Sequence, residues 1–402
     1  MFRNRGSRGI DMKGESHRAL ACAGVLFCLI LPAVLAVGGP IRRASAETNA
    51  AWTIGLYIDA DNDFDTYWEG LSLLYLKNIP ASADVNIVAF VDRIAYEGTE
   101  LWDIEGDDAQ IVETFPEMNF GDGATLSWMI SETATRYPSD HLVIDLWDHG
   151  TAWNGFCGDY TSDDWIYLDE LKAAIIDANV HIDILSCDAC SMASIETVYT
   201  TALTGLVDIV VASLETVAGD GFPYDLMFTP VALDPLRTAD QVAADMIDGW
   251  AQYYDPLSQY FYATLGAVSV SNLYQSMSTI DAWCDEIHAN LDSYYRAYKA
   301  VVRDTYSVFY TKYQVDMVDL GNQILANSKI TDPTLRTLTQ DMIAAVENAV
   351  LYLDDAPNTM MCGGLTLWWG SSFEWNSYSD VYAVTDFAID TGWYDFLVDY
   401  NY

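Results

Sequence analysis

The sequence predicts an α/β protein with a mostly parallel central sheet and a smaller, mainly helical C-terminal lobe. Short apolar segments rich in β-branched and aromatic residues recur through the first half, and helical patterns lie between them. From about Pro230 the pattern changes to long helical stretches rich in Tyr and Asp. Strands that alternate with helices imply parallel strands joined by crossover helices.

Five segments read as buried strands: WTIGLYIDA from Trp52, VNIVAFVD from Val85, HLVIDLWDHG from His141, HIDILSCDAC from His181 and DIVVASLE from Asp208. A helix is predicted from Phe64 to Leu76, behind the acidic cap DADND. Two more are predicted over GDGATLSWMISETATRY and over YLDELKAAIIDA, the latter joining the segments that end at His149 and Cys190. The apolar GGLTLWWGSS near Gly363 closes the second lobe.

Residues 1–46 have the form of an export signal. Arg3, Arg5, Arg8 and Arg18 precede the apolar stretch from Ala19 to Val37, and Ala44-Ser45-Ala46 offers a small-x-small cleavage site. A secreted or cell-surface protein is expected, and the chain touches a membrane only if this segment is retained as an anchor. Roughly 356 residues follow, more than one core usually serves. The predicted division is 47–229 for a main domain and 230–402 for a lobe packed on it.

The net charge is −41. Removing residues 1–46 takes away seven basic and two acidic side chains, leaving 57 acids against 11 bases. Nucleic acid is excluded as a partner on that balance. Five cysteines remain, Cys157, Cys187, Cys190, Cys284 and Cys362, so at least one has no partner for a disulfide.

Ligand sites gather at the carboxyl ends of parallel strands. His149 closes one strand and Cys190 the next, so as neighbours they face one crevice. His141 and His181 begin the same strands, about 26 to 30 Å away, and read as surface or internally satisfied histidines. His288 reads as an ordinary helix residue.

A thiol attacks as its thiolate, and a nearby imidazole supplies the base. Cys190 and His149 suit those roles, and Gly150 lets a backbone N–H reach a substrate carbonyl as an oxyanion donor. Cys187-x-x-Cys190 also admits a redox pair, a disulfide or plain core cysteines. Asp188 between the two thiols is unlike a thioredoxin-type motif, because a carboxylate opposes ionisation of a thiol. Zinc would need two more ligands, and the sequence shows no partner motif for them.

LVIDLWDHG, followed some forty residues later by ILSCDACSMASIE, resembles the clostripain family of cysteine peptidases, which carries a D-H-G at one strand end and a D-A-C-x-M-A at the next. DADNDFD, MNFGDGATLSWMI, VASLETVAGDGFPY and DMVDLGNQI are similar as well. The resemblance implies a caspase-like three-layer sandwich and endopeptidase activity, with His149 as catalytic histidine, Cys190 as nucleophile, and the amides of Gly150 and Cys190 as the oxyanion hole. Cys187, Ser191 and Ala152 depart from the family's usual bulky apolar residue, leucine and glycine. Some relatives mature by cutting after a basic residue between histidine and cysteine. Here Lys172 is the only Lys or Arg in that interval and lies in a predicted helix, so one intact chain is expected.

Asp188 stands two residues before Cys190, on the same face of an extended strand. A substrate cation would compensate the charge beside the thiolate, so peptide or protein substrates with Arg or Lys before the cut are expected. Glu215 and Asp220 add negative charge in the loop after the next strand. The structural alternative for Asp188 is a carboxylate that accepts backbone N–H bonds. No cofactor is required for thiol chemistry and no metal ligand set is assigned. Some relatives need calcium, and DADNDFD resembles the start of an EF-hand loop. Phe64 at its sixth position and Gly70 at its twelfth instead favour an acidic loop capping a helix. Two other function classes remain in view: a catalytically idle caspase-like protein that binds peptides or surface material, and a C-x-x-C thiol oxidoreductase.

Overall fold

A computed structural model describes residues 49–257, 262–308, 313–355 and 362–402, so the predicted signal segment lies outside the described residues. Among the described residues, thirteen strands are defined: β1 Ala50–Ala60, β2 Val85–Arg93, β3 Thr99–Glu105, β4 Asp108–Phe115, β5 Ser139–Trp147, β6 Phe156–Asp159, β7 Asp164–Ile166, β8 Ile182–Asp188, β9 Val207–Ala212, β10 Leu265–Ser269, β11 Gln314–Asp316, β12 Val350–Asp354 and β13 Thr366–Trp368. Nine of them form one sheet in the order β12-β10-β9-β8-β5-β1-β2-β3-β4.

The centre of that sheet, β9-β8-β5-β1-β2, is parallel throughout. These are the five segments read as strands. Their near-continuous apolar runs reflect burial on both faces, where parallel strands are covered by their crossover helices. Ile54, Leu56, Ile58, Ile184 and Val211 face one core together with the helices Tyr224–Leu233 and Ala239–Tyr254. Tyr57, Ile144, Leu146, Leu185 and Val210 face the other, with the helices Gly123–Arg136, Leu168–Ala178 and Ile195–Ala202. Helix, sheet and helix are thus stacked as the predicted three-layer α/β sandwich.

All three predicted helices are present. Tyr167 precedes the helix Leu168–Ala178 in a capping box with Glu170. The helix behind DADND begins at Asp65 and runs with a π-helical turn at Trp68–Ser72 to Asn78. Its expected acidic side-chain cap is not formed: Phe64 occupies the cap position without a side-chain bond, and the Asn62 carboxamide oxygen accepts the Phe64 N–H at 2.8 Å.

The region after 230 is mainly helical, yet it also supplies β10 and β12, which extend the central sheet antiparallel beyond β9. Residue 230 itself lies inside the helix Tyr224–Leu233, and residues 45–402 form one compact unit. The β3-β4 hairpin on the opposite side was not anticipated. Its outer strand is largely exposed, so it carries no apolar run by which to recognise it.

Candidate active site

β5 and β8 are parallel neighbours in a register that pairs Trp147 with Asp188. His149 and Cys190 each lie two residues past that pair, in the loops just beyond the strand ends. Contrary to the expectation from sequence, neither residue closes its strand, but both emerge at one edge of the sheet.

His149 is held by the segment after β1. Its Nε2 lies 2.9 Å from Asp63 Oδ1, and its ring stacks on Phe64 with 3.9 Å between centroids. The histidine hydrogen bond keeps the Asp63 carboxyl below the usual carboxylate range. Tyr160 donates to the same Asp63 oxygen at 3.2 Å. One residue earlier, the Asn62 amide donates to buried Asp148 Oδ1 at 2.7 Å, tying the two segments together. With Nε2 engaged by Asp63, Nδ1 is the ring nitrogen left for proton exchange. Sequence reading missed this use of Asp63 and Phe64, because they stand far from His149 along the chain.

The Cys190 thiol faces the Val217 carbonyl at 3.9 Å. Burial pushes the thiol up to about 11; hydrogen bonds from the Val217 and Gly150 backbone act against that shift, and the charges of Asp188 and Asp148 add to it. Gly150 is packed against the backbone of Cys190. A Cβ at this position would lie 2.4 Å from the Cys190 carbonyl oxygen and 2.9 Å from its nitrogen, so only glycine fits. Ser191 and Ala152 adopt left-handed φ angles of 62° and 57°. The Ala152 position therefore does ask for the conformation that glycine takes most easily.

A small cleft opens beside the thiol. Phe64, Tyr67, Leu71 and Trp147 give it apolar walls, and Asp148, Asp188, Cys190 and Asp220 also line it together with the Val217–Gly221 loop. Asp188 is buried and accepts the Phe222 N–H and the Tyr224 hydroxyl, each at 3.0 Å. The same hydroxyl lies 2.7 Å from Asp145. Burial and then the Asp145 charge push Asp188 up to about 8. The backbone-accepting role foreseen for Asp188 is thus present, and its carboxylate still borders the cleft. Asp220 borders it too, and the Tyr253 hydroxyl reaches its Oδ2 at 3.2 Å.

Glu215 does not reach the cleft. Its carboxylate is buried and accepts the Tyr306 hydroxyl, while its carbonyl accepts the Ser191 N–H at 2.8 Å. It supports the Cys190 loop from behind. His141 pairs with Asp183 at 2.7 Å, His181 with Asp208 at 3.1 Å and His288 with Asp399 at 2.8 Å, all away from the cleft. All five cysteines from Cys157 onward are free thiols. Cys187 is buried in the core on the other face of the sheet, and burial raises its thiol far above the ordinary range. That position gives the oxidoreductase reading nothing to work with.

A thiol and an imidazole at the carboxyl edge of a parallel sheet, beside a cleft for a side chain, define a cysteine peptidase. The chain belongs to the clostripain family, whose model matches residues 56–397. No curated protein is similar to it at a significant level. Among solved structures, an inactive zymogen C11 protease from Parabacteroides distasonis is similar over 86% of this chain and 99% of its own, with a TM-score of 0.68 and 19% identity. A secreted C11 cysteine protease from Bacteroides thetaiotaomicron in complex with an irreversible peptide inhibitor is similar over 87% of this chain and 99% of its own, with a TM-score of 0.64 and 16% identity. Among the described residues, no helix is long and apolar enough to cross a membrane.

Proposed function

We propose that this peptidase is exported and cuts peptide bonds after Arg or Lys, with Cys190 as nucleophile and His149 as base. The observation that carries the specificity is the pairing of Asp188 and Asp220 in a cleft bordered by Cys190. Apolar walls suit the methylene stem of a long side chain, and carboxylates suit its cationic head. A guanidinium can take two hydrogen bonds from one carboxylate, which favours Arg over Lys.

The chemistry follows from the residues. His149 accepts the Cys190 proton at Nδ1 as the sulfur attacks the scissile carbonyl carbon. The oxygen of the tetrahedral intermediate meets the amides of Gly150 and Cys190. His149 returns the proton to the leaving amine, leaving an acyl-thioester, and then activates the water that hydrolyses it. Burial, Asp188 and Asp148 all oppose ionisation of Cys190. A substrate cation on Asp188 offsets part of that opposition, so the correct side chain also helps to activate the nucleophile. Export rests on the composition of residues 1–46.

Cleavage of matched peptides with Arg, Lys, Gln or Asp before the cut tests this reading. Wild type should prefer Arg and Lys, and Asp188→Asn should lose roughly 2 to 4 kcal/mol of transition-state stabilisation on those two alone. Equal cleavage of Arg and Gln peptides by the wild type would refute it.

A further inference from the structure

The edge of the sheet opposite the active site carries a second group of histidines and carboxylates, which peptide cleavage does not use. β8 and β9 begin there. Ile182 is paired with Val207 and Ile184 with Ile209, which sets Asp183 opposite Asp208. His181 stands just before β8, two residues from Asp183. One ligand atom from each of His181, Asp183 and Asp208 lies within 4.8 Å of those of the other two, and His181 Nε2 is 3.1 Å from Asp208 Oδ2.

Asp183 is the fixed member of the group. It is buried; its Oδ2 accepts the Leu142 N–H at 2.8 Å, and its Oδ1 lies 2.7 Å from His141 Nδ1. His141 is held in turn by stacking on Trp52, with 4.6 Å between centroids. Partners of this kind orient a ligand carboxylate before an ion arrives. Each carboxylate oxygen has two lone pairs, so one bond to each leaves room for a metal. The side chains of His181 and Asp208 are 54% and 56% exposed, so small rotations bring their atoms to the separation of about 3.3 Å found between ligands on one zinc ion. Carboxylates directly opposite on neighbouring strands repel. Among the described residues, the ion-pair partners of Asp183 and Asp208 are histidines, with no Lys or Arg to offset that repulsion.

We infer that His181, Asp183 and Asp208 hold a zinc ion, with water completing its shell. An imidazole nitrogen among the ligands argues against calcium and magnesium, which take oxygen. One nitrogen and two carboxylate oxygens suit zinc, whose bonds to such atoms are about 2.0 to 2.2 Å long. Manganese accepts the same donors and binds more weakly. The ion offsets the repulsion between Asp183 and Asp208 and ties β8 to β9 at the end of the sheet away from Cys190. Its role is structural, because the cleft lies at the other edge.

Calorimetric titration of zinc chloride into the chelator-stripped full chain tests the site at about pH 7.5, above the ordinary range of histidine. The chain carries Cys190→Ala and His149→Ala, which removes the thiol and imidazole of the active site as zinc binders. One zinc ion per chain is expected, with a melting temperature that rises with zinc concentration. His181→Asn and Asp208→Asn change exposed side chains and should leave the fold intact, yet each should weaken binding at least about tenfold. His288→Asn should leave binding unchanged: its pair with Asp399 is as close, at 2.8 Å, but has no third ligand among the described residues. Four results would each overturn the assignment: no uptake at about micromolar zinc, binding unchanged in His181→Asn, binding weakened by His288→Asn, or tighter binding of calcium or magnesium than of zinc.

Discussion

His149 Nε2 lies 2.9 Å from Asp63 Oδ1, so the imidazole at the sheet edge is oriented by a carboxylate from the loop after β1. Asp63 is well exposed, and an exposed pair of this kind contributes no more than about 1 kcal/mol to folding. Asp63→Ala should therefore lower kcat roughly tenfold or more while shifting stability little. If Asp63 acts through the histidine alone, KM for Arg peptides should stay nearly constant. A rise confined to KM would show that Asp63 contacts the peptide instead.

Cys190→Ala and His149→Ala should each abolish turnover, since nucleophile and base act as one unit. Iodoacetamide should label Cys190 ahead of the other thiols. Cys157, Cys187, Cys284 and Cys362 are buried, whereas Cys190 is partly accessible. Its rate of labelling should climb with pH up to about 11. Peptide mapping that finds Cys187 modified first in the native protein would contradict this arrangement.

Gly150→Ala should inactivate the enzyme and cost about 1 to 3 kcal/mol of stability. The added methyl would meet backbone atoms of Cys190, which cannot rotate aside as a side chain can. Kinetics alone would not separate the two effects, so chemical denaturation should accompany them. A fully active Gly150→Ala enzyme would mean that this close approach is not maintained.

Asp188→Asn should trade specificity for stability. In the fold the Asp188 carboxyl is raised to about 8, against about 3.9 in an unfolded chain. A raised carboxyl contributes stability that is complete below about pH 4 and is lost as pH rises through about 8. The wild type should therefore lose stability across this window, and Asp188→Asn should lose less, by at least ~1 kcal/mol at the alkaline end. Melting curves from pH 4 to 8.5 give the comparison, and parallel curves for the two proteins would contradict it.

The mature protein should remain one polypeptide once active. No Lys or Arg occurs from Thr151 to Leu171, and Lys172 lies inside a regular helix with its ammonium on Asp386. Denaturing electrophoresis with mass spectrometry should find no cut between His149 and Cys190. Two chains with a junction in that interval would show otherwise.

The parts of the fold that the sequence made legible are those whose burial is two-sided. β1, β2, β5, β8 and β9 declare themselves through unbroken apolar runs, and their parallel arrangement brings His149 and Cys190 to one edge. The exposed β4 and the two strands that arrive from the helical region, β10 and β12, carry no comparable signal. Near the thiol, Asp188 and Asp220 could be found from their place in the chain, because a strand end and the following loop are local features. Asp63 could not be linked to His149 that way, since their meeting depends on which strands become neighbours. Glu215 shows the converse error: proximity in sequence to Asp220 suggested the cleft, but Tyr306 draws its carboxylate into the interior.

The two antiparallel strands at the β9 edge govern how the molecule can be assembled. β10 and β12 pair with elements made much earlier in the chain, so the sheet is complete only when residue 354 has been added. Pairing between such distant segments is slow, because the closure entropy of a long loop is lost before the contacts form. Until β10 pairs with it, β9 presents a bare row of backbone donors and acceptors, a template on which another chain can stack, and until β12 follows, β10 does the same. A fragment ending at 229 would contain both His149 and Cys190 and still be prone to aggregate, and the catalytic half of this protein is therefore not a unit that can be cut out and expressed alone.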